Sequence, residues 1–189
     1  MVTGFVALLP AYSKVSDKPV AIVNNAKKPV SENEKFRQWH EVCLDGDTGK
    51  IAEQIAKFEA ELVKNPTNDL ARAYLGSSHA LMAKHAFFPP TKLSNLKKGK
   101  ALMEKAVGSS PNNPHVRMVR AIAYYKVPKR FGTRPTSISD FRILLVEAKK
   151  TSSPLNEREK QAALYYASLA FADERCASAA ESRLLCHKI

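Results

Sequence analysis

Long apolar runs are absent from this chain, so it contains no stretch that spans a bilayer as a helix. The first apolar run covers only residues 5–9, whereas a membrane-spanning helix needs about 20 such residues. Ala11 and Ser13 follow with the small-x-small spacing of a signal cleavage site, but no basic residue precedes the run. We interpret residues 1–30 as a leader or tether with a remnant export signal. This predicts an exported or periplasmic protein, with a cytoplasmic leader as the alternative.

Glycine is also scarce, with seven in 189 residues, while alanine and lysine are plentiful. Alanine and residues with straight side chains form helices most readily, and glycine is among the least favourable residues there. The composition therefore predicts an all-α chain.

Cysteine occurs three times, as Cys43, Cys176 and Cys186, and the spacings match no metal-binding pattern. Ten residues on one straight helix span about 15 Å, which is too far for a disulfide. Cys176 and Cys186 are ten residues apart, so they could pair only if a helix broke between them. We expect unpaired, partly buried thiols.

Catalytic and cofactor-binding motifs are missing as well. The chain has no Gly-x-Ser-x-Gly, no phosphate-binding loop and no His-Glu-x-x-His, and its five histidines are scattered. The segment DGDTGK at 45–50 suggests a calcium loop. However, Lys50 stands where that loop needs glycine, and Ala56 where it needs glutamate. We therefore expect no enzyme activity, no metal and no cofactor.

Acidic residues are nearly absent from residues 84–134, where twelve Lys or Arg face a single acid, Glu104, for a net charge of +11. The remaining residues contribute almost none of the total of +12. A local field of this sign attracts acidic protein surfaces, nucleic acid or anionic lipid.

The chain does contain a recurring Pro-x-Asn, at residues 66–68, 111–113 and 154–156. Proline ends a helix and asparagine caps the next one, so each Pro-x-Asn predicts a joint between helix pairs. A period of more than forty residues with apolar positions at helical spacing indicates stacked helix pairs. We predict about four pairs, with long connections at residues 85–95 and 126–137 and a last helix that starts near Glu174.

These residues resemble the tetratricopeptide repeat. Leu75-Gly76 is similar to the Leu-Gly step of its first helix, and Gly99, Met103, Ala106 and Pro111 are similar to its second-helix positions. The chain departs from the motif in its longer period and in the place of Trp39. The resemblance covers residues 31–189 and implies a right-handed stack of antiparallel helix pairs, an α-solenoid, that binds proteins.

The two predicted connections combine phenylalanine, proline and clustered cations, which is typical of an edge that binds an acidic partner protein. The candidate residues at this edge are Phe87, Phe88, Lys92, Lys97, Lys98, Lys129, Arg130, Phe131 and Arg134. The resemblance also implies an inner groove, lined here by Met118, Tyr125 and Tyr165, although these residues could equally be core. The alternative partner is nucleic acid, bound along the basic strip of residues 84–134.

Overall fold

The protein is all-α. The structure is a computed structural model that describes the backbone of residues 31–186 and the side chains of residues 31–175; the predicted leader, residues 1–30, lies outside this part. The described residues form seven α-helices: α1 (Glu32–Glu41), α2 (Thr48–Lys64), α3 (Asp69–His85), α4 (Pro89–Ser109), α5 (Pro114–Lys126), α6 (Arg134–Ala148) and α7 (Glu157–Cys186). Short 3-10 helices follow α1 and α5. None of these helices is long and apolar enough to cross a membrane.

Each Pro-x-Asn caps a helix, as predicted. The Oδ1 atom of Asn68 accepts a hydrogen bond from the backbone N–H of Ala71 at 3.0 Å, and Asn113 accepts one from His115 at 3.0 Å. At the third joint Asn156 accepts from the N–H of Glu159 at 3.0 Å, and the Glu159 carboxylate accepts from the N–H of Asn156 at 2.9 Å. The caps satisfy N–H groups that have no partner inside a helix.

The first two joints also share a contact that the motif does not reveal. Arg72 donates to the carbonyl of Pro66, and Arg117 donates to the carbonyl of Pro111 at 2.5 Å. Both arginines lie six residues after their prolines. The joints are therefore alike in side-chain bonding as well as in sequence.

The helices pack mostly in sequence. From α2 onward each helix contacts the next one along the chain, and α1 contacts α3, α3 contacts α5 and α5 contacts α7. The first core is aromatic, because the rings of Phe36, Trp39, Phe58 and Tyr74 lie 5.4 to 6.4 Å apart. A second core, in which Phe141 packs among aliphatic side chains, joins α5, α6 and α7. Neither α1 nor α7 could bury its apolar side without its neighbours.

Helices α3 and α4 approach closely where two glycines face each other. A Cβ atom on Gly99 would lie 2.5 Å from the carbonyl oxygen of Gly76, and one on Gly76 would lie 2.8 Å from that of Gly99. Both obstacles are backbone atoms, so neither can turn aside. Only glycine at both positions permits this close approach.

A buried carboxylate holds α4, α5 and α6 together. Asp140 on α6, 1% exposed, accepts from Arg117 at 2.7 Å and from Arg120 at 2.8 and 2.9 Å. Arg120 also donates to Glu104 on α4 at 2.7 Å. Because burial of a lone carboxylate is costly, the two arginines make its position on α6 possible.

The predicted long connection at residues 85–95 is wrong, because α4 begins at Pro89 and only residues 86–88 join it to α3. Proline is well tolerated in the first turn of a helix, where its missing N–H would have had no partner. The pair Pro89-Pro90 therefore starts a helix and does not extend a loop. The second connection is real but shorter than predicted, since α6 begins at Arg134.

The predicted fourth helix pair is also wrong. Residues 157–186 form one continuous helix, α7, where two helices were predicted. No glycine or proline occurs within α7 to end it near Glu174. Cys176 and Cys186 thus belong to the same unbroken helix, about 15 Å apart along its axis.

The glycine contact gives a test of the fold. Gly99→Ala should lower the free energy of unfolding by about 1–3 kcal/mol, because the new methyl group overlaps backbone atoms of α3. Gly108→Ala, in the same helix but with no atom within 4 Å of the new Cβ, should raise it by about 0.5–1 kcal/mol through helix propensity. Urea unfolding of both variants measures the difference. Equal effects would contradict the close contact.

Candidate functional site

The structure brings the two predicted binding segments together on one surface. The α3–α4 turn (residues 86–88), the first half of α4 and the α5–α6 connection (residues 127–133) form what we call the basic edge. Leu96 of α4 packs with Ala83 and Val127 in a small apolar cluster, and Phe131 packs against it. Lys100 donates to the carbonyl of Phe131 at 3.3 Å. These contacts fix the two segments side by side.

Two adjacent phenylalanines project from the basic edge. Phe87 is 97% exposed and Phe88 is 61% exposed, whereas Ala86 beside them is buried. The short turn explains this arrangement: Ala86 takes the inward position, and the rigid Pro89-Pro90 start of α4 leaves both rings outside. Leu93, one turn into α4, is 47% exposed as well. Clustered apolar side chains of this size on a surface indicate a contact site.

Lysines follow these apolar side chains along α4, and no acid occurs between residues 84 and 103. Lys92 and Lys97 are exposed, and neither forms an ion pair within the described part of the chain. Lys98, also exposed, is bonded to Glu59 of α2 at 3.1 Å. The α4 side of the edge therefore presents free positive charge around an apolar centre.

The α5–α6 side of the edge is more firmly built into the fold. The ring of Phe131 is half-buried, and the guanidinium of Arg130 lies 5.0 Å from its centre. Gly132, with φ of 69°, ends the short helix in a backbone conformation that glycine adopts without strain. Lys129 lies 3.9 Å from Asp173 of α7. Of these side chains, Arg130 is exposed without an ion pair among the described residues.

Arg134 was predicted as a partner-binding residue, and the structure places it within the fold. Its side chain is 16% exposed, its guanidinium lies 4.1 Å from the ring centre of Tyr125, and it is 3.5 Å from Asp173. It therefore connects the start of α6 to α5 and α7. A cation over an aromatic ring is stabilising, most of all where water is excluded.

The predicted inner groove is partly filled. Met118 is 8% exposed and belongs to the second core, and Tyr125 lies between Arg134 and Tyr166. Tyr165 alone of the three groove residues is well exposed, at 60%. Helix α1 covers part of the surface of α3 next to the predicted groove, since His40 Nε2 is 2.8 Å from Ser77 Oγ. Burial lowers the pKa of His40 to about 4, so its ring is neutral at pH 7.

A polar cluster, which sequence analysis missed, joins α1 to α3, α5 and α7. The side chain of Asn33 accepts from the Tyr74 hydroxyl at 3.3 Å and donates to Glu159 at 2.5 Å, and His115 lies 3.1 Å from the same carboxylate. Burial raises the pKa of Glu159, but hydrogen bonds from His115, Asn156 and Asn33 outweigh it and lower the pKa overall. These contacts join residues that are far apart in the sequence, so no local sequence pattern predicts them. Phe87, in contrast, is one of the residues that the sequence predicts for the edge.

Among the described residues, no three His, Cys, Asp or Glu side chains are arranged to hold a metal ion. Comparison with protein families, curated proteins and solved structures finds no match to this chain. The geometry and charge of the basic edge therefore carry the functional argument.

Arg130 and Arg134, both predicted to bind a partner, should respond differently to truncation. Arg134→Ala should lower the free energy of unfolding by about 1–2 kcal/mol, because it removes a largely buried cation from the Tyr125 ring. Arg130→Ala should change it by less than about 0.5 kcal/mol, because that side chain is exposed. Chemical denaturation measures both. A larger loss for Arg130→Ala would contradict this assignment.

Proposed function

We propose that this chain is a non-enzymatic protein-binding module, a tetratricopeptide-like, right-handed stack of helix pairs that holds an acidic partner protein at its basic edge. Three features support the repeat architecture: the capped Pro-x-Asn joints, the contacts between alternate helices, and the meeting of Gly76 with Gly99. Gly76 and Gly99 are the positions where the motif has small residues in its first and second helices.

The observation that carries the functional proposal is the exposed pair Phe87-Phe88 next to unpaired lysines. Aromatic side chains dominate the energy of many protein interfaces, and charged residues at the rim guide the approach of a partner. In the basic edge the rings form the centre, and Lys92 and Lys97 lie on the following turns of α4. This arrangement suits an acidic surface with an apolar pocket.

Nucleic acid fits the same surface less well. A phosphate backbone needs a continuous line of free cations, with rings on which the bases stack. The strip of residues 84–134 is interrupted, because Lys129 and Arg134 lie near Asp173, Lys98 is bonded to Glu59 and the Phe131 ring packs inward. Lys92 and Lys97, on the turns of α4 that follow Phe87 and Phe88, are among the lysines that form no ion pair within the described part of the chain.

Charge reversal tests the proposal. Lys92→Glu/Lys97→Glu should abolish recovery of the partner in a quantitative crosslinking pull-down from the cells that produce the protein. The control is Lys64→Glu/Lys105→Glu, which makes the same change of charge at exposed positions away from Phe87 and Phe88 and should leave recovery unchanged. Phe87→Ser/Phe88→Ser should act like the first pair. Equal recovery with all three variants rejects the basic edge.

Salt dependence separates the two partner classes. We expect a labelled single-stranded oligonucleotide to bind only weakly, with an affinity that falls steeply as salt increases, because counterion release drives such binding. The protein partner should remain bound at physiological salt, since its contact includes buried rings. Fluorescence anisotropy across a salt series measures the first. Tight oligonucleotide binding at physiological salt that Lys92→Glu/Lys97→Glu removes would establish the nucleic-acid alternative.

A further inference from the structure

One cation of the basic edge is already paired with a carboxylate of the same chain. Lys98 Nζ on α4 lies 3.1 Å from Glu59 Oε1 on α2, and the two side chains are about half exposed, at 52% and 49%. Neither side chain forms another hydrogen bond or ion pair within the described part of the chain. An anion that approaches Lys98 from outside therefore meets a carboxylate that is already bound there.

The Lys98–Glu59 pair contributes little to the fold. Water screens the attraction between exposed charges, and holding two long side chains in one geometry costs entropy. Asp173, beside the α5–α6 side of the edge, differs in this respect, because it lies 3.5 Å from Arg134, whose side chain is only 16% exposed. Loss of Asp173 would leave a largely buried cation without its ion pair, whereas Glu59 can leave Lys98 with both charges still open to water.

A carboxylate of an acidic partner gains more from Lys98 than Glu59 does. Water is excluded at a protein interface, so the attraction between opposite charges is stronger there than at an exposed surface. Glu59, once released, stays exposed and needs no other partner. Lys98 directly follows Lys97 along α4, so an acidic segment that binds Lys97 lies within reach of Lys98 as well.

We propose that Glu59 is a built-in competitor for the basic edge: it binds Lys98 in the free protein, and a carboxylate of the acidic partner takes its place in the complex. The exchange rests on the proposed function, since it requires a partner that brings an acidic group to the edge. Glu59 is then a specificity-determining residue, because every anion must offset the loss of the Glu59 pair. A partner that also contacts Phe87 and Phe88 does so readily, whereas an anion without apolar groups is disfavoured.

Glu59→Gln tests the exchange, with a labelled oligoglutamate peptide as the probe and fluorescence anisotropy at low salt as the measurement. The variant keeps the size of the side chain and removes its charge, so the peptide should bind about two- to five-fold more tightly. Glu157→Gln is the matched control, because Glu157 is an exposed acid that also pairs with a lysine, Lys160 at 2.8 Å, but at the start of α7 and away from the basic edge. It makes the same change of net charge and should leave the dissociation constant unchanged.

Lys98→Gln shows whether Glu59 acts through Lys98. On its own this variant should weaken binding of the peptide, and Glu59→Gln added to it should lose most of its effect, because the pair that it breaks no longer exists. Equal tightening by Glu59→Gln in both backgrounds would overturn the proposal, since Glu59 would then act only through the overall charge. A wild-type affinity in the Lys98→Gln protein would overturn it too. Circular dichroism checks the fold, and Glu59→Ala removes the same charge if Glu59→Gln does not fold.

Different results reject the exchange at Lys98 and the basic edge itself. Lys92→Glu/Lys97→Glu should abolish binding of the peptide. If it does so while Glu59→Gln behaves like Glu157→Gln, the basic edge stands and the exchange is rejected. If the wild-type protein does not bind the peptide even at low salt, the exchange is rejected as well, and the pull-down with the partner decides the proposed function separately.

Discussion

The capped Pro-x-Asn joint is the constraint on which the rest of the structure depends. Each asparagine fixes where an odd-numbered helix begins, and these helices pack beside one another with their starts at the same end. At that end Asn33, His115 and Glu159 meet in one polar cluster. The turns that follow α3 and α5 therefore both lie at the opposite end of these helices. For this reason the segments that contain Phe87 and Phe131 lie on one edge. A surface made from two distant segments follows from a local rule about helix starts.

Close packing sets the stability of this arrangement as much as the caps do. At Gly76 and Gly99 the backbones of α3 and α4 touch, which brings α4 near enough to pack Met103 and Ala106 without exposure. Between α5 and α6 a small residue, Ala121, is again buried. Its carbonyl accepts a hydrogen bond from Ser137 at 2.8 Å. The α3–α4 and α5–α6 contacts thus use different chemistry. The ion pairs of Asp140 with its two arginines are a third kind of contact between helices. Neighbouring helices of one chain can thus be held together by different side-chain chemistry.

Features set by short-range preferences are mostly predictable from this sequence, whereas features that depend on distant contacts are not. The all-α class, the caps at Asn68, Asn113 and Asn156 and most helix positions followed from short-range preferences. The connection at residues 85–95 was misassigned because Pro89-Pro90 has two local meanings, loop or helix start. The side-chain environments of Arg134 and Met118 depend on neighbours more than thirty residues away, such as Asp173 and Ala163. Whether a residue at such a site faces a partner or the core cannot be predicted from its neighbours in sequence.

The separation of charge along the chain relates the basic edge to the rest of the structure. Nearly all of the net charge of +12 lies in residues 84–134, which carry +11. Acids from outside this segment pair with some of its cations, as Glu59 does with Lys98 and Asp173 does with Lys129. Lys92 and Lys97 have no such acid among the described residues, so a field that attracts acidic surfaces persists on the helix that follows the exposed Phe87 and Phe88.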